Sequence, residues 1–286
     1  MITEIPLKEN SSVQVIKRQL ENNQIIIIKK FKDQKIFDKE FHFLNQLKKI
    51  ALPFKKYSDN SLEFPFYLSL ESLLRQPISP GYAKKISLQL INILKTLKES
   101  EVTHGDLKPS NIFVTDEKEI KINDFETAQS KKFPPKQGRS SGTPGYAAPE
   151  AWVNSSLDWL ADQYSIGIIL CQIYCLQRPF NDLSPNEIYE SQKNQQVNPG
   201  ALNPDISPTM SSIIQKMCAF DKLDRFNSIG EIIESIQATP VQRVKQQILT
   251  DERSVVISSE ERSTPKWLLI INLVIFLLAI AYLIFR

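Results

Sequence analysis

The amino-acid sequence predicts an α+β fold, with a β-rich N-terminal part, a larger helical part after it and one membrane-spanning helix. Three observations predict this architecture: short apolar runs near the N-terminus, apolar residues at helical spacing in the middle, and an uncharged apolar run at residues 267–285. With 42% hydrophobic and 23% charged residues among 286, the chain can bury a substantial core.

The first predicted elements are one strand and two helices. Residues 25–28 are four isoleucines followed by two lysines, a run typical of a short buried strand. Residues 37–47 carry apolar side chains at helical spacing, and residues 83–100 repeat this pattern after the turn-forming sequence at residues 79–81.

A β-hairpin and a further helix follow. The β-rich runs at residues 111–114 and 120–123 are joined by the polar residues 115–119, which favours a hairpin. Residues 162–176 are then strongly apolar and predict a helix.

Residues 267–285 predict a transmembrane helix. These 19 residues are uncharged, and a membrane span needs roughly 20. A buried core helix is the alternative, but an apolar run of this length with no polar face favours the membrane. The polar residues 239–266 before it indicate a juxtamembrane linker. Because several basic residues precede the span and only Arg286 follows it, we expect a single-pass, tail-anchored membrane protein with residues 1–266 in the cytoplasm.

Charge and cysteine usage exclude some partners. The formal net charge is a mild +3, and no stripe of basic residues interleaved with aromatics is present, so we expect no nucleic-acid partner. Cys171, Cys175 and Cys218 are odd in number and lack metal-ligand spacing. They favour buried free thiols in a reducing compartment over a redox pair.

The stretch THGDLKPSNIF, residues 103–113, carries groups suited to phosphoryl transfer. This chemistry needs a positioned nucleophile, bound magnesium and positive charge around the phosphates. Asp106 can accept the hydrogen bond of an attacking hydroxyl group, and Lys108 can lie beside the transferred phosphate. Asn111 and Asp124, at the same end of the predicted hairpin, can hold magnesium through oxygen atoms.

Five motifs in this order make the chain resemble the eukaryotic-type protein kinase family. They are HGDLKPSN at 104–111, DFE at 124–126, GTPGYAAPE at 142–150, DQYSIG at 162–167 and DRF at 224–226. The resemblance implies a two-lobed kinase-like fold over residues 10–238, with ATP bound between the lobes. The small β-rich lobe would cover about residues 10–68 and the larger helical lobe about residues 69–238.

The resemblance also implies a role for each residue of the transfer chemistry. Asp106 would be the catalytic base. Lys108, which marks Ser/Thr-directed members, would approach the transferred phosphate. Asn111 and Asp124 would bind Mg²⁺ and, through it, ATP.

Other matching residues would have supporting roles. Thr143 would help to form the substrate pocket. Glu150 and Arg225 would form a buried structural ion pair, which is better evidence of fold than of activity. Asp162 would brace the catalytic loop, and His104 would pack and form hydrogen bonds without acting as a base.

In the family, a strand lysine holds the ATP phosphates and a helix glutamate orients it. Lys29 is the candidate lysine, with Lys30 as the alternative, and Glu40 is the best candidate partner. The two residues are only 11 positions apart, which is short for the family. A solvated pair of lysines at the end of a strand is the competing interpretation.

The sequence departs from the family pattern at three places. No glycine precedes Gly81, so the glycine-rich loop over the phosphates is missing. Residues 9–13 are the best substitute, although Glu9 would be unfavourable beside phosphates. Gly105 replaces an arginine that pairs with a phosphorylated activation segment in many members, which suggests activity independent of such phosphorylation. Glu126 replaces a glycine, and it could restrict the segment or add charge near the ion.

Three function classes fit these observations. The first is a membrane-anchored protein kinase that uses ATP and Mg²⁺ to phosphorylate serine or threonine hydroxyls of protein substrates. The second is a pseudokinase scaffold, which the missing glycines and Glu126 favour and the complete set of transfer residues opposes. The third is a small-molecule phosphotransferase, since HGDLKPSN followed by NDFETA resembles aminoglycoside and choline kinases, although GTPGYAAPE and Asp224-Arg225 oppose it.

Overall fold

The N-terminal part of the structure is a five-stranded antiparallel sheet. The computed structural model describes residues 3–135, 142–153, 156–181, 183–194 and 196–239, which belong to one compact unit. The strands of the sheet are β1 Thr3–Glu9, β2 Val13–Gln19, β3 Ile25–Phe31, β4 Lys55–Ser58 and β5 Ser61–Pro65. Their spatial order is β1-β2-β3-β5-β4.

Strand β3 lies at the centre of this sheet because its side chains are apolar on both faces. It pairs with β2 on one side and β5 on the other, and Ile26, Ile28 and Lys29 are all buried. By contrast, β1 is an edge strand in which all seven residues are exposed. Strand β1 is therefore held in place mainly by its main-chain hydrogen bonds with β2.

Helix α1, Gln34–Gln46, packs against the small sheet. It begins after Asp33, whose carboxylate accepts a hydrogen bond from the Lys35 N–H at 2.7 Å, an N-cap worth about 1 kcal/mol. Phe37, Phe43 and Leu44 are buried on the inner face of α1. Because only two residues separate β3 from α1, the middle of the helix lies over the end of the strand.

The hairpin predicted from the sequence forms the second sheet. Strands β6 Leu68–Ser69, β7 Ile112–Val114 and β8 Ile120–Ile122 pair in that order. A single 3₁₀ turn, Pro109–Asn111, leads into β7. This sheet lies below the small lobe, because the Leu52 N–H donates to the Ile122 carbonyl at 2.9 Å.

The remaining part of the described chain is helical. Its helices are α2 Leu70–Leu73, α3 Pro80–Glu99, α4 Glu150–Val153, α5 Trp159–Cys175, α6 Pro185–Asn194, α7 Pro199–Leu202, α8 Pro208–Met217 and α9 Ile229–Ala238. Helix α5 is buried on nearly every face and packs against α3 and α8. Gly167 permits the close contact with α8, since a Cβ there would lie 2.5 Å from Cys218 Sγ.

The structure has the predicted α+β, two-lobed arrangement, and each element predicted among the described residues is present within a few residues of its predicted bounds. Cys171, Cys175 and Cys218 are buried free thiols, as predicted. In the part of the chain that is described, no helix has the length and apolar character needed to cross a membrane. The predicted span at residues 267–285 and, beyond Thr239, the predicted linker lie outside the described residues.

Candidate active site

Lys29 lies at the centre of an ionic cluster between the two lobes. Its Nζ atom is 3.0 Å from Glu40 Oε1 on α1 and 2.9 Å from Asp124 Oδ1 after β8. The side chains of Lys29 and Glu40 are 7% and 0% exposed. Burial disfavours the ammonium, but the charges of Glu40 and Asp124 outweigh it and raise the pKa of Lys29. Lys29 is therefore firmly cationic.

Lys29 and Lys30, the two candidates for the strand lysine, lie on opposite faces of the sheet. Successive side chains of a strand point to opposite faces of the sheet. Lys29 is in register with Val15 and Leu62, whereas Lys30 is in register with Gln14 and Ser61 on the other face. The short separation between Lys29 and Glu40 is sufficient because α1 follows β3 almost directly.

Helix α1 also holds the backbone of residues 124–126. The Phe125 N–H donates to Glu40 Oε2 at 2.8 Å, and Lys39 Nζ donates to the Glu126 carbonyl at 2.7 Å. Asp124 has φ 71°, but Glu126 is not among the residues with positive φ. The backbone in this conformation therefore does not require glycine at position 126.

Asp124 is held in its ionised form. Burial opposes ionisation, but the neighbouring Lys29 ammonium, with a smaller contribution from Lys8, brings the pKa of Asp124 down to about 2. A carboxylate at all physiological pH values can accept a cation, and Asp124 Oδ2 is not engaged by Lys29.

Asp162 holds the backbone of residues 104 and 105 in place. Its carboxylate accepts hydrogen bonds from the His104 N–H at 2.7 Å and the Gly105 N–H at 2.9 Å. Burial raises the pKa of Asp162 to about 7, although both amide hydrogen bonds favour its ionised form. Gly105 has φ 75°, a left-handed conformation that glycine adopts without strain.

His104 is completely buried and packs on Phe125, with ring centroids 5.0 Å apart. Its Nε2 atom lies 3.3 Å from the Asn123 carbonyl, and its Nδ1 atom accepts from the Asp106 N–H at 3.3 Å. These two contacts fit the neutral tautomer with the proton on Nε2. Burial lowers the pKa of His104, so it stays neutral, and it contacts Asp106 only through the backbone.

Asp106, Lys108 and Thr143 form one hydrogen-bonded group. Asp106 Oδ1 accepts from the Thr143 hydroxyl at 2.7 Å, and Asp106 Oδ2 lies 2.8 Å from Lys108 Nζ. Lys108 Nζ also donates to Thr143 Oγ1 at 2.6 Å. The structure thus brings together a carboxylate, an ammonium and a hydroxyl from two separate segments of the chain.

Asn111 and Asp124 lie at the open end of the β7–β8 hairpin. The Asn123 N–H donates to the Asn111 carbonyl at 3.0 Å, and Asp124 follows directly. Asn111 Nδ2 donates to the Asp106 carbonyl at 2.9 Å, which leaves Asn111 Oδ1 as the atom facing a possible ligand. One amide oxygen and one carboxylate fit Mg²⁺, which binds few protein oxygens and keeps waters and phosphates as its other ligands. Within the described ranges, no group of three or more His, Cys, Asp and Glu side chains could hold a metal ion.

The β1–β2 turn at residues 10–12 closes without glycine. Asn10 Oδ1 accepts from the Ser12 N–H at 2.8 Å and from the Val13 N–H at 2.7 Å. The Glu9 carboxylate, which the sequence placed close to the phosphates, is instead paired with Lys32 Nζ at 2.8 Å. Glu9 is in register with Gln14, on the face of the sheet opposite to Lys29.

Glu150 and Arg225 form the predicted ion pair in the large lobe. Arg225 is fully buried, and its two terminal nitrogens lie 2.7 and 2.8 Å from the two Glu150 oxygens. The Arg225 guanidinium also donates to the carbonyls of Ala219 and Leu160. Every part of this buried cation is thereby satisfied, so the pair anchors the segment after Thr143 to the large lobe.

Sequence reasoning missed Lys8 and Lys39 at this site. Lys39, which holds Glu126, lies in a helix with many charges and gives no local signal. The position of Lys8, which acts on Asp124, depends on strand register that no local pattern encodes.

A cavity of about 220 Å³ lies elsewhere in the large lobe. Its lining includes Ile78, Lys84, Tyr174 and Met210, and it shares no residue with the ionic cluster. The convergence of charged groups between the lobes therefore marks the candidate active site better than the shape of this cavity does.

Comparison with known proteins gives a consistent family assignment. The family model for the protein kinase domain matches residues 9–240. A probable serine/threonine-protein kinase of Clostridium perfringens is 28% identical over 176 residues, covering 59% of this chain and 26% of that protein. Serine/threonine-protein kinase Pkn1 of Myxococcus xanthus is 26% identical over 192 residues, covering 64% and 28%. Serine/threonine-protein kinase PksC of Streptomyces coelicolor is 30% identical over 170 residues, covering 55% and 31%. The chain spans about a quarter to a third of the length of these curated relatives.

Proposed function

The chain belongs to the protein kinase family, and from this premise we propose that it is an active serine/threonine protein kinase that uses ATP and Mg²⁺. The observation that carries the proposal is the convergence of two groups on one cleft. Asp106 and Lys108 form one group, and Lys29 with Asp124 forms the other. A scaffold that only binds partners has no need of both.

The chemistry proposed for the site is in-line phosphoryl transfer. A serine or threonine hydroxyl oxygen of the protein substrate attacks the γ-phosphorus of ATP, the bond to the bridging oxygen breaks, and ADP leaves. Asp106 accepts the hydrogen bond of that hydroxyl and takes its proton. Lys108, beside Asp106, stabilises negative charge on the phosphoryl group, and Thr143 fixes the orientation of both side chains.

Lys29, Asn111 and Asp124 would hold the nucleotide and its metal. Bound Mg²⁺ neutralises charge on the phosphates. Asn111 Oδ1 and Asp124 Oδ2 are the oxygens that would hold it. Lys29 would contact the phosphates through its ammonium, which Glu40 holds in place. The site needs no rearrangement of α1 for this, because the Lys29–Glu40 pair is already formed.

We also propose that residues 267–285 anchor this kinase in a membrane with its catalytic domain in the cytoplasm. The support is the length of the uncharged run and the basic residues that precede it. Fractionation of cells that produce the full chain tests this. The protein is expected to stay in the membrane pellet after alkaline carbonate extraction, and release into the supernatant would refute it.

The function is tested with the full-length protein in detergent micelles, supplied with γ-labelled ATP and Mg²⁺. Three acceptors are offered separately: a protein rich in serine and threonine, a tyrosine polymer and a mixture of aminoglycosides and choline. The proposal expects label on serine or threonine of the protein acceptor. Label only on the small molecules indicates the phosphotransferase class, and nucleotide binding without any transfer indicates a pseudokinase.

A further inference from the structure

Strand β1 contains a β-bulge that sets the direction of Lys8. Pro6 is in register with Ile16 of β2, but Lys8 is in register with Val15, so Leu7 is an extra residue. In an unbroken ladder, Leu7 would oppose Val15 and Lys8 would point to the other face. Because of the bulge, Lys8 opposes Val15 in place of Leu7. Bulges near active sites redirect side chains in this way.

The new register places Lys8 on the same face of the sheet as Lys29. Lys8 opposes Val15, and Val15 opposes Lys29, so the three residues form one row across β1, β2 and β3. With neighbouring strands about 4.8 Å apart, the Lys8 and Lys29 backbones are separated by about 10 Å.

Lys8 is available for a ligand. It is exposed, and within the described part of the chain its side chain forms no hydrogen bond or ion pair. Its acidic neighbour does not compete for it, because Glu9 points to the opposite face and is bound by Lys32 at 2.8 Å. The opposite charges of the neighbouring residues Lys8 and Glu9 are thereby separated, with the cation on the face of Lys29 and the anion on the other face.

The turn after Lys8 lacks the usual means of binding phosphate. Its Ser12 and Val13 N–H groups donate to the Asn10 side chain, and the Asn10 N–H donates to the Val13 carbonyl at 3.0 Å. These amides are used within the turn, and no glycine allows close backbone approach. Phosphates held under this turn would need a positive charge from elsewhere.

We propose that Lys8 supplies this charge, binding the phosphate groups of the nucleotide from the small-lobe side and replacing the amides of a glycine-rich loop. This inference rests on the proposed function, since it takes a nucleoside triphosphate as the ligand. Lys29 holds the phosphates at the back of the cleft, and Lys8 closes over them from the first strand. The two lysines, two strands apart, form a clamp.

Calorimetric titration of the full-length protein, with Mg²⁺ present, tests the clamp. The ligands are the β,γ-imido analogue of ATP, which is not hydrolysed, and adenosine, which has no phosphate. The variants are Lys8→Met, Lys8→Arg and, as a matched control on the other face of the sheet, Lys30→Met. Thermal unfolding without ligand checks that each variant is folded.

Lys8→Met is expected to weaken binding of the triphosphate analogue about tenfold, as for one exposed charge-assisted contact, and to leave adenosine binding unchanged. Lys8→Arg should retain most of the affinity, and Lys30→Met all of it. Binding of the analogue by unmodified protein should also fall more steeply with salt than binding by Lys8→Met.

Two results would overturn the inference: unchanged affinity of Lys8→Met for the analogue, or an equal loss of affinity for adenosine. These outcomes are separable from failure of the proposed function. If the unmodified protein binds no analogue at all, the proposed function is refuted, and the role of Lys8 with it.

Discussion

Replacing Glu40 by glutamine keeps the volume of a buried side chain and removes one of the two negative charges that hold Lys29. Glu40 uses both oxygens: Oε1 lies 3.0 Å from Lys29 Nζ, and Oε2 accepts from the Phe125 N–H at 2.8 Å. Glutamine offers one oxygen and one NH₂ group. The Lys29 ammonium and the Phe125 N–H are both donors. Whichever way the amide turns, one of them faces the NH₂ group of the glutamine, so one hydrogen bond is lost.

The size of the effect follows from the partner that is lost. A hydrogen bond to a charged group contributes about 1.5–3 kcal/mol, and each 1.36 kcal/mol is a factor of ten in rate. We therefore expect Glu40→Gln to lower kcat/KM roughly 10- to 150-fold. In the variant, Lys29 keeps only Asp124 as an ionic partner. Lys29 then competes more strongly with Mg²⁺ for the Asp124 carboxylate.

Steady-state kinetics of the full-length protein, with ATP varied and a serine- and threonine-rich acceptor held constant, measure this loss. Asp38→Asn is the matched control, since it removes a charge from the exposed side of the same helix, where Asp38 contacts only Gln34 at 2.7 Å. The reasoning is refuted if folded Glu40→Gln retains kcat/KM within twofold of the unmodified protein, or if the control loses as much.

Three further perturbations follow from the structure. Arg225→Met should lower the free energy of unfolding by about 3–5 kcal/mol in denaturant titration, because it leaves Glu150 unpaired in a mostly buried position; a change below 1 kcal/mol would contradict this. Because burial lowers the pKa of His104, the unfolded chain binds a proton near pH 6.5 that the folded chain does not, so stability falls as pH drops below 6.5. His104→Phe should flatten that slope, by at most about 1.4 kcal/mol per pH unit, and an unchanged slope speaks against the buried neutral imidazole. Asn111→Ala should raise the Mg²⁺ concentration for half-maximal transfer about tenfold or more; an unchanged requirement would remove Asn111 from the metal site.

The elements with a strong local pattern could be predicted from the sequence. Four consecutive isoleucines identified β3 because a short run of β-branched apolar residues favours a buried strand. The helical spacing of apolar residues identified α1 and α3, and the length of the apolar run identified α5. Strand β1 gave no signal, since all its residues are exposed and its pairing comes from backbone hydrogen bonds with β2.

The residue types of the site could be predicted from the sequence, whereas its pairings were suggested only by the family resemblance. Motif spacing suggested Asp106, Lys108 and Asn111, which lie within six residues of one another. The contacts of Lys29 with Asp124 and of Asp162 with the His104 backbone join residues 95 and 58 positions apart. Distances of that kind depend on how the lobes pack, which composition and periodicity do not encode.

The directions of the side chains upstream of the motifs could not be predicted. The sequence suggested residues 9–13 as the phosphate-binding turn, and a one-residue bulge places Lys8 on the face of Lys29 and Glu9 on the opposite face. A bulge changes every side-chain direction after it, and no residue type in β1 marks it uniquely. The alternation of residues along β1 therefore does not predict which face a side chain lies on after Pro6.

The most direct test of the account is the transfer rate of Asp106→Asn in a single turnover, with Asp116→Asn in the exposed hairpin turn as control. Asparagine cannot take the proton of the attacking hydroxyl, and a general base contributes about 10²–10⁴ in rate. We expect the rate to fall at least about 100-fold, with nucleotide affinity and thermal stability close to those of the unmodified protein. Transfer by Asp106→Asn at a rate within tenfold of the control would contradict the assignment of this cleft as the site of phosphoryl transfer.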